Sequence, residues 1–301
     1  MIPLVFHPIY SQLDLPYRHR FPIEKYQGIY NELIAQGVCI DDFHLPAPLE
    51  PSYLSQVYDE NYITELCTGH LDPKAMRRIG FPWSEQLIKR TFTAAAGTVL
   101  TAQLALEYGT ALNLTGGYHH AFADFGSGFC MINDLYLAAR TMLNKPGIDS
   151  VLIFDCDVHQ GDGTAKLAQN DNDIFTVSLH GEKNFPHRKQ ISDMDIGFAK
   201  GTGDAEYLDV VDSALHLAFI QCQPDAVIYD AGVDIHIDDD LGHLAITTAG
   251  VLARDQMVYA KCAAAGVPVA AVIGGGYQRD IDALVDVHMQ LFHAFGVVQS
   301  K

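Results

Sequence analysis

The sequence predicts an α/β fold of one domain, in which an open, mainly parallel β-sheet is flanked by helices on both faces. Three observations indicate this fold. Short apolar runs rich in Val, Ile and Leu recur along the chain, and such runs are typical of strands buried on both faces. Segments with a helical pattern lie between them, as in α/β sheets. Polar clusters follow the runs, where these sheets bind ligands.

The predicted elements alternate in order along the chain. The strands are expected at 4–6, 111–114, 151–154, 174–179, 226–229 and 267–273, and the helices at 84–108, 133–143, 205–222 and 248–265. The first helix has the clearest start, because Ser84 is a favourable N-cap and Glu85 places a negative charge in the first turn.

Composition limits the classes of protein that the chain can represent. Of its 301 residues, 49% are hydrophobic and 19% are charged, which excludes disorder, collagen and coiled coil. No linker or repeat marks a boundary, so we expect one domain over residues 1–301. The net charge of −18 argues against binding to nucleic acids or anionic membranes, and it is compatible with a cationic substrate.

Cysteine spacing and the N-terminal residues predict a soluble, cytoplasmic protein. The six cysteines lie at least 26 positions apart, so no CxxC pair exists, and a chain with a full core needs no disulfides. The start, MIPLVFHPIY, lacks the basic region of a signal peptide. The longest uncharged stretches, 91–106 and 262–277, are shorter than the roughly 20 apolar residues that span a bilayer.

Ligand-type side chains follow five of the predicted strands. They are GGYHH (116–120), DCDVH (155–159), His180, the segment from Asp230 to Asp234, and GGGY (274–277). Because the carboxyl ends of parallel strands share one edge of the sheet, we expect these clusters to meet in one site.

The motif at 155–159 favours a divalent metal. Asp155, Asp157 and His159 alternate, so their side chains leave the same face of the strand end, and carboxylate and imidazole are common metal ligands. A turn that caps the next helix is an equally good interpretation of this motif alone. The glycines on either side of Asp162 allow a tight turn that brings it back towards the site.

Other clusters suggest acid–base chemistry in a narrow channel. His119 and His120 could be two bases oriented by two carboxylates, which would determine their tautomers. Tyr277 follows three glycines and could donate to a developing oxyanion. No P-loop or GxGxxG is present, so dinucleotide binding is disfavoured. Phe129 and Phe185 are either core residues or walls of an apolar channel.

Together these motifs resemble the histone deacetylase family of zinc amidohydrolases, which shares its sheet with the arginases. In family order, the matching motifs are GGYHHA (116–121), SGFC (127–130), ND (133–134), DCDVHQGDG (155–163), VSLH (177–180), GVD (232–234), DDLG (239–242) and GGGY (274–277). The segments HRFP (19–22), KY (25–26) and GFPWS (80–84) resemble the class IV branch and its bacterial relatives.

The resemblance implies a role for each matching residue. The metal, Zn²⁺ or alternatively Fe²⁺, would bind to Asp157, His159 and Asp234. The catalytic residues would be His119 paired with Asp155, His120 paired with Asp162, and Tyr277 as the oxyanion donor. The channel would be lined by Phe129, Phe185 and Leu241. A structural K⁺ would bind mostly through the carbonyls of Asp155, Asp157, His159, Ser178 and Leu179. Arg20 aligns loosely with the family's arginine behind the zinc.

The expected activity is zinc-dependent hydrolysis of an acyl-lysine peptide or a small acylated amine. The metal would activate water, with His120 as general base and His119 as electrostatic support. An acetylpolyamine amidohydrolase is the main alternative. An arginase-like ureohydrolase would need two manganese ions, whereas the histidine pair occupies that space and predicts one metal per chain. A reader of acyl-lysine without catalysis is disfavoured, because the catalytic residues are present.

Overall fold

Eight short strands form the centre of the molecule in a computed structural model that describes residues 2–299. In chain order they are Leu4–Val5 (β1), Phe43–His44 (β2), Thr110–Asn113 (β3), Val151–Asp155 (β4), Ile174–Gly181 (β5), Met194–Phe198 (β6), Ala226–Asp230 (β7) and Val269–Val272 (β8). They make one sheet in the order β2-β1-β3-β8-β7-β4-β5-β6, and every neighbouring pair is parallel. The predicted fold class is therefore confirmed.

Ten α-helices are formed by the described residues. They are Lys25–Ala35 (α1), Pro51–Leu54 (α2), Glu60–Thr68 (α3), Pro73–Ile79 (α4), Glu85–Tyr108 (α5), Asp134–Leu143 (α6), Asp162–Ala168 (α7), Asp204–Cys222 (α8), Thr248–Ala265 (α9) and Ile281–Ala294 (α10), with 3₁₀ turns at Pro8–Ser11 and Ile40–Asp42. Among residues 2–299, none of these helices is long and apolar enough to cross a membrane.

Strand β4 shows why the central strands are apolar along their whole length. Val151 and Ile153 belong to the core on the face that α5 and α6 cover. Leu152 and Phe154 belong to the core on the other face, where α8 packs. Successive side chains point to opposite faces of a strand, so a strand buried on both faces has no polar position except at its ends. The site is placed at those ends.

The elements that carry strong local signals match the prediction. Ser84 is the N-cap of α5, and its Oγ accepts a hydrogen bond from Leu87 N at 3.0 Å. All six predicted strands are present, and α6, α8 and α9 begin within one residue of the expected positions. Strands β2 and β6 were not predicted, because they lie at the sheet edges and β6 alternates between exposed and covered residues.

Candidate active site

The carboxyl ends of three central strands bring the polar residues together. Asp155 ends β4, and in the register of the sheet it lies opposite Asp230 of β7 and Ser178 of β5. The loops that follow β4 and β7 carry Asp157 and Asp234. Residues that are far apart in the chain therefore meet at one edge, as the positions of the predicted strands indicated.

The predicted metal ligands converge on one point. His159 Nδ1 lies 3.0 Å from Asp157 Oδ1 and 3.0 Å from Asp234 Oδ2, and all three side chains are buried. The backbone fixes the other carboxylate oxygens, since Gly275 N donates to Asp157 Oδ2 and Val158 N donates to Asp234 Oδ1, each at 2.8 Å. Two carboxylates and one imidazole form a donor set that suits Zn²⁺, so the residues fit a divalent metal.

Gly275 is required by this arrangement. A Cβ at position 275 would lie 2.3 Å from Asp234 Oδ2 and 2.4 Å from Asp157 Oδ2. Any other residue would displace both carboxylates, so the sequence GGGY serves to let the backbone approach the cluster.

The cluster contains two neighbouring carboxylates, and burial disfavours their ionised forms. Burial, reinforced by the charge of Asp157, raises the pKa of Asp234 to about 7. Burial alone would lower the pKa of His159, but its hydrogen bonds to both carboxylates outweigh that effect and raise the pKa to about 10. Protons on these groups stabilise the cluster, and a divalent cation would do so in their place.

Two histidine–aspartate pairs stand beside the cluster, as predicted. His119 Nδ1 lies 2.7 Å from Asp155 Oδ2, and His120 Nδ1 lies 2.6 Å from Asp162 Oδ1. The centroids of the two imidazole rings are 4.2 Å apart. In each pair a ring N–H donates to the carboxylate, which orients the second ring nitrogen.

The two imidazoles differ in charge despite their matching partners. For His119, burial acts to lower the pKa, but the carboxylates of Asp155 and Asp157 outweigh it and raise the pKa well above its usual value. For His120, burial and the neighbouring charge of His119 lower the pKa to about 4. At neutral pH the pair therefore consists of one imidazolium and one neutral imidazole, which can accept a proton.

A cavity of about 310 Å³ leads to these residues. All three predicted channel residues, Phe129, Phe185 and Leu241, line it, together with His120, His159 and Tyr277. The Phe185 ring meets the His120 ring edge-on at 4.8 Å. Phe129 adopts a left-handed backbone conformation, with φ of 67°, which is uncommon for a bulky residue.

Tyr277 borders the cavity next to the cluster. Its ring centroid lies 6.0 Å from that of His159. Burial and the carboxylates of Asp157 and Asp234 raise its pKa well above the usual value, so the phenol keeps its proton and can donate. Asp239 positions the segment by accepting hydrogen bonds from Tyr277 N at 2.7 Å and from Leu241 N at 2.8 Å.

The residues of the predicted potassium site lie at the ends of β4 and β5 and in the turn after β4. Ser178 is buried opposite Asp155, and its Oγ lies 3.0 Å from His180 Nδ1. Leu179 is the next residue and is also buried, while Asp157 and His159 lie in the turn that follows Asp155. The structure brings these residues to one place, and the binding of K⁺ stays a prediction.

Sequence reasoning gave no individual role to Lys25 or Asp230, and it misplaced Arg20. Lys25 is fully buried, and its Nζ donates to Gly274 O at 3.1 Å; burial lowers its pKa to about 8. Asp230 is buried with no hydrogen bond to either carboxylate oxygen from any described residue. Arg20 is exposed and lines a different cleft, so the alignment of Arg20 with a buried arginine is wrong. The KY segment by itself does not reveal what Lys25 contacts, because its partners lie about 250 positions away.

The chain is similar to several known proteins over most of its length. The family model described as "Histone deacetylase domain" matches residues 19–291. An uncharacterized protein of Picosynechococcus sp. is 47% identical over 293 residues, which are 97% of each chain. Histone deacetylase 2 of Arabidopsis thaliana is 28% identical, with 94% of this chain and 76% of that protein covered.

One further sequence relative and one solved structure are also similar to this chain. A probable deacetylase of Archaeoglobus fulgidus is 27% identical, and the alignment covers 91% of this chain and 80% of that protein. The crystal structure of the HDA15 HD domain superimposes with a TM-score of 0.81 at 20% identity, covering 97% of this chain and 90% of that one. The structural likeness shows that the fold is shared.

Proposed function

The chain belongs to the histone deacetylase family, and from that premise we propose that it is a zinc-dependent deacylase of acyl-lysine. The observation that carries this proposal is the position of the Asp157–His159–Asp234 cluster beside the mainly apolar cavity, which His120 and Tyr277 also line. We also propose that residues 1–301 form one catalytic domain and that it belongs to the class IV branch.

The metal would be held by Asp157, His159 and Asp234. A bound divalent cation supplies Lewis acidity, which polarises an amide carbonyl and makes water a stronger nucleophile. Fe²⁺ suits the same donors and is the alternative metal. The structural K⁺ is proposed to bind to Asp155, Asp157, His159, Ser178 and Leu179, mostly through backbone carbonyls.

His120 is the general base in this proposal. It is neutral at pH 7, and since its Nδ1–H donates to Asp162, its Nε2 can take a proton from the attacking water. The same nitrogen then returns the proton to the leaving amine. His119, held by Asp155 and charged, stabilises the negative charge that develops beside it.

Tyr277 and the channel act on the acyl group. The phenol O–H donates a hydrogen bond to the carbonyl oxygen as it becomes an oxyanion. Phe129, Phe185 and Leu241 exclude water and hold the acyl-lysine stem in the direction of the metal cluster.

Two alternatives lead to different measurements. An acetylpolyamine amidohydrolase would use the same residues on a cationic amine. Asp230 gives some support to an arginase-like ureohydrolase, because with His119 and Asp155 it forms a second group of ligand atoms within 4.8 Å of one another. One metal ion per chain is expected for the deacylase, and two for the ureohydrolase.

The test is a substrate panel on the zinc-loaded protein. Acetyl-, octanoyl- and myristoyl-lysine peptides are incubated beside acetylputrescine and arginine, and released products are measured by mass spectrometry. Hydrolysis of at least one acyl-lysine peptide, blocked by a hydroxamate that binds zinc, supports the proposal. Release of urea supports the ureohydrolase, and turnover of acetylputrescine alone supports the acetylpolyamine amidohydrolase. Either result contradicts the proposal.

A further inference from the structure

The side chains that line the catalytic channel include two cations, although the protein as a whole is acidic. The chain has 37 acidic and 19 basic residues. Among the described residues, however, no aspartate or glutamate lines the channel cavity, whereas Arg78 and Lys183 do. Both are exposed, while His120 and His159 are buried at the inner end, so the two basic side chains lie towards the entrance.

The basic surface continues beyond the channel. A neighbouring cavity shares Arg78, Phe185 and His187 with the channel and adds Lys166 and Arg188. It also contains Asp162, whose carboxylate is used by His120, and Asp124, which is exposed. We call Arg78, Lys166, Lys183 and Arg188 the basic rim.

No residue of the basic rim forms an ion pair with another described residue. Within residues 2–299, the ion pairs made by lysine or arginine are Arg140–Asp171, Arg254–Asp255 and Arg279–Asp240. Arg78 is held by a hydrogen bond from Nε to Gly126 O at 3.1 Å and by packing of its guanidinium 3.9 Å from the centre of the Phe125 ring. Neither contact uses its two terminal nitrogens, which are left for a ligand.

From this arrangement we propose that the substrate is an acylated amine whose surroundings are anionic, such as an acyl-lysine flanked by aspartate or glutamate. The inference rests on the proposed function and specifies its substrate class. A protein with a net charge of −18 repels anions over most of its surface. Basic side chains without ion-pair partners at the channel entrance would attract acidic substrates to the place where the amide enters. A cationic polyamine would be repelled at the same place.

The experiment compares matched peptides that carry one acyl-lysine between three glutamates or three lysines on each side. We expect kcat/KM for the acidic peptide to exceed that for the basic peptide at least about tenfold at low salt. The ratio should approach one at about 1 M salt, because the Debye length falls from about 30 Å at 0.01 M to about 3 Å.

Lys183→Glu tests whether the basic rim is the source of that ratio. Its matched control is Lys145→Glu, which changes the net charge equally on an exposed lysine near the amino-terminal end of β4. The ratio should fall several-fold in Lys183→Glu and stay unchanged in Lys145→Glu.

Three results would overturn the inference. Equal or higher turnover of the basic peptide would refute an anionic substrate, and equal effects of the two variants would show that the basic rim is not responsible. In both cases hydrolysis continues, so the proposed function survives. If no acyl-lysine peptide is hydrolysed, the proposed function fails and this inference fails with it.

Discussion

Two buried charged regions of this molecule differ in how they balance their charge. On α9, Arg254 Nε donates to Asp255 Oδ1 at 2.9 Å, and its terminal nitrogens donate to Gly232 O and Ala231 O. At the strand ends, the acids Asp155, Asp157, Asp230 and Asp234 surround the imidazoles of His119 and His159. Both regions are almost completely buried.

This difference distinguishes a charge pair that stabilises the fold from a cluster that can bind a ligand. The Arg254–Asp255 pair contains one charge of each sign and holds the loop that leads to Asp234, so its two charges balance within the fold. The cluster at the strand ends has four carboxylates, and within residues 2–299 no lysine or arginine forms an ion pair with them. Because unpaired buried charges are costly, such a cluster indicates a site that binds a cation rather than a region that stabilises the fold.

The largest effect is expected for Asp157→Ala. Removal of this carboxylate takes away one of three ligands, so the protein should lose its zinc and its deacylase activity. Elemental analysis after gel filtration measures the metal, and Asp171→Ala, which removes a carboxylate remote from the site, is the control. Full zinc content in Asp157→Ala would refute the ligand set.

Arg254→Met is expected to affect the other region through folding. It leaves Asp255 buried without its partner, which typically costs about 3–5 kcal/mol of unfolding free energy. Arg140→Met breaks a partly exposed pair with Asp171 and should cost no more than about 1 kcal/mol.

Urea denaturation of both variants measures this difference. Replacing Arg254 and Asp255 together by Met and Leu should recover part of the loss, because no charge then remains buried. Equal losses for the two single variants would contradict a structural role that depends on burial.

Tyr277→Phe should reduce turnover without affecting the metal. Loss of one oxyanion donor typically lowers kcat about 10²–10³-fold, which is about 3–4 kcal/mol of barrier. The variant should retain its zinc, and Tyr108→Phe, at an exposed position at the end of α5, should keep the full rate. A rate near that of the unchanged protein would exclude Tyr277 from the mechanism.

His288 adds a third kind of buried group, one that stays neutral. Neither ring nitrogen has a hydrogen bond from a described residue, and burial, with the nearby cations Lys25 and Arg254, lowers its pKa well below 6.5. Below pH 6.5 the unfolded chain binds a proton here that the folded protein excludes, so the unfolding free energy falls as the pH drops.

His288→Leu should therefore weaken the acid sensitivity of the protein. Between pH 7 and pH 5, the decrease in unfolding free energy should be smaller than in the unchanged protein, because the variant lacks the group that takes up a proton on unfolding. Urea denaturation at both pH values measures it. Identical decreases would show that folded His288 accepts a proton after all.

The sequence by itself determined the elements and the chemistry that depend on local order. The apolar run 151–154 predicts a strand buried on both faces, and the alternation of Asp155, Asp157 and His159 predicts neighbouring ligands. Both follow from the period of two along a strand. The start of α5 at Ser84 was also predictable from local order, because an N-cap acts on the next three residues.

Only the tertiary structure decided how remote groups act on one another. It places Asp234 beside His159 across 75 positions, buries Lys25 behind the GGGY segment, exposes Arg20 and gathers the basic rim at the channel mouth. It also raises the pKa of His119 and lowers that of His120, although each has an aspartate partner. Distances across the sheet and the burial of charge depend on the assembled fold, so no spacing within a short motif contains them.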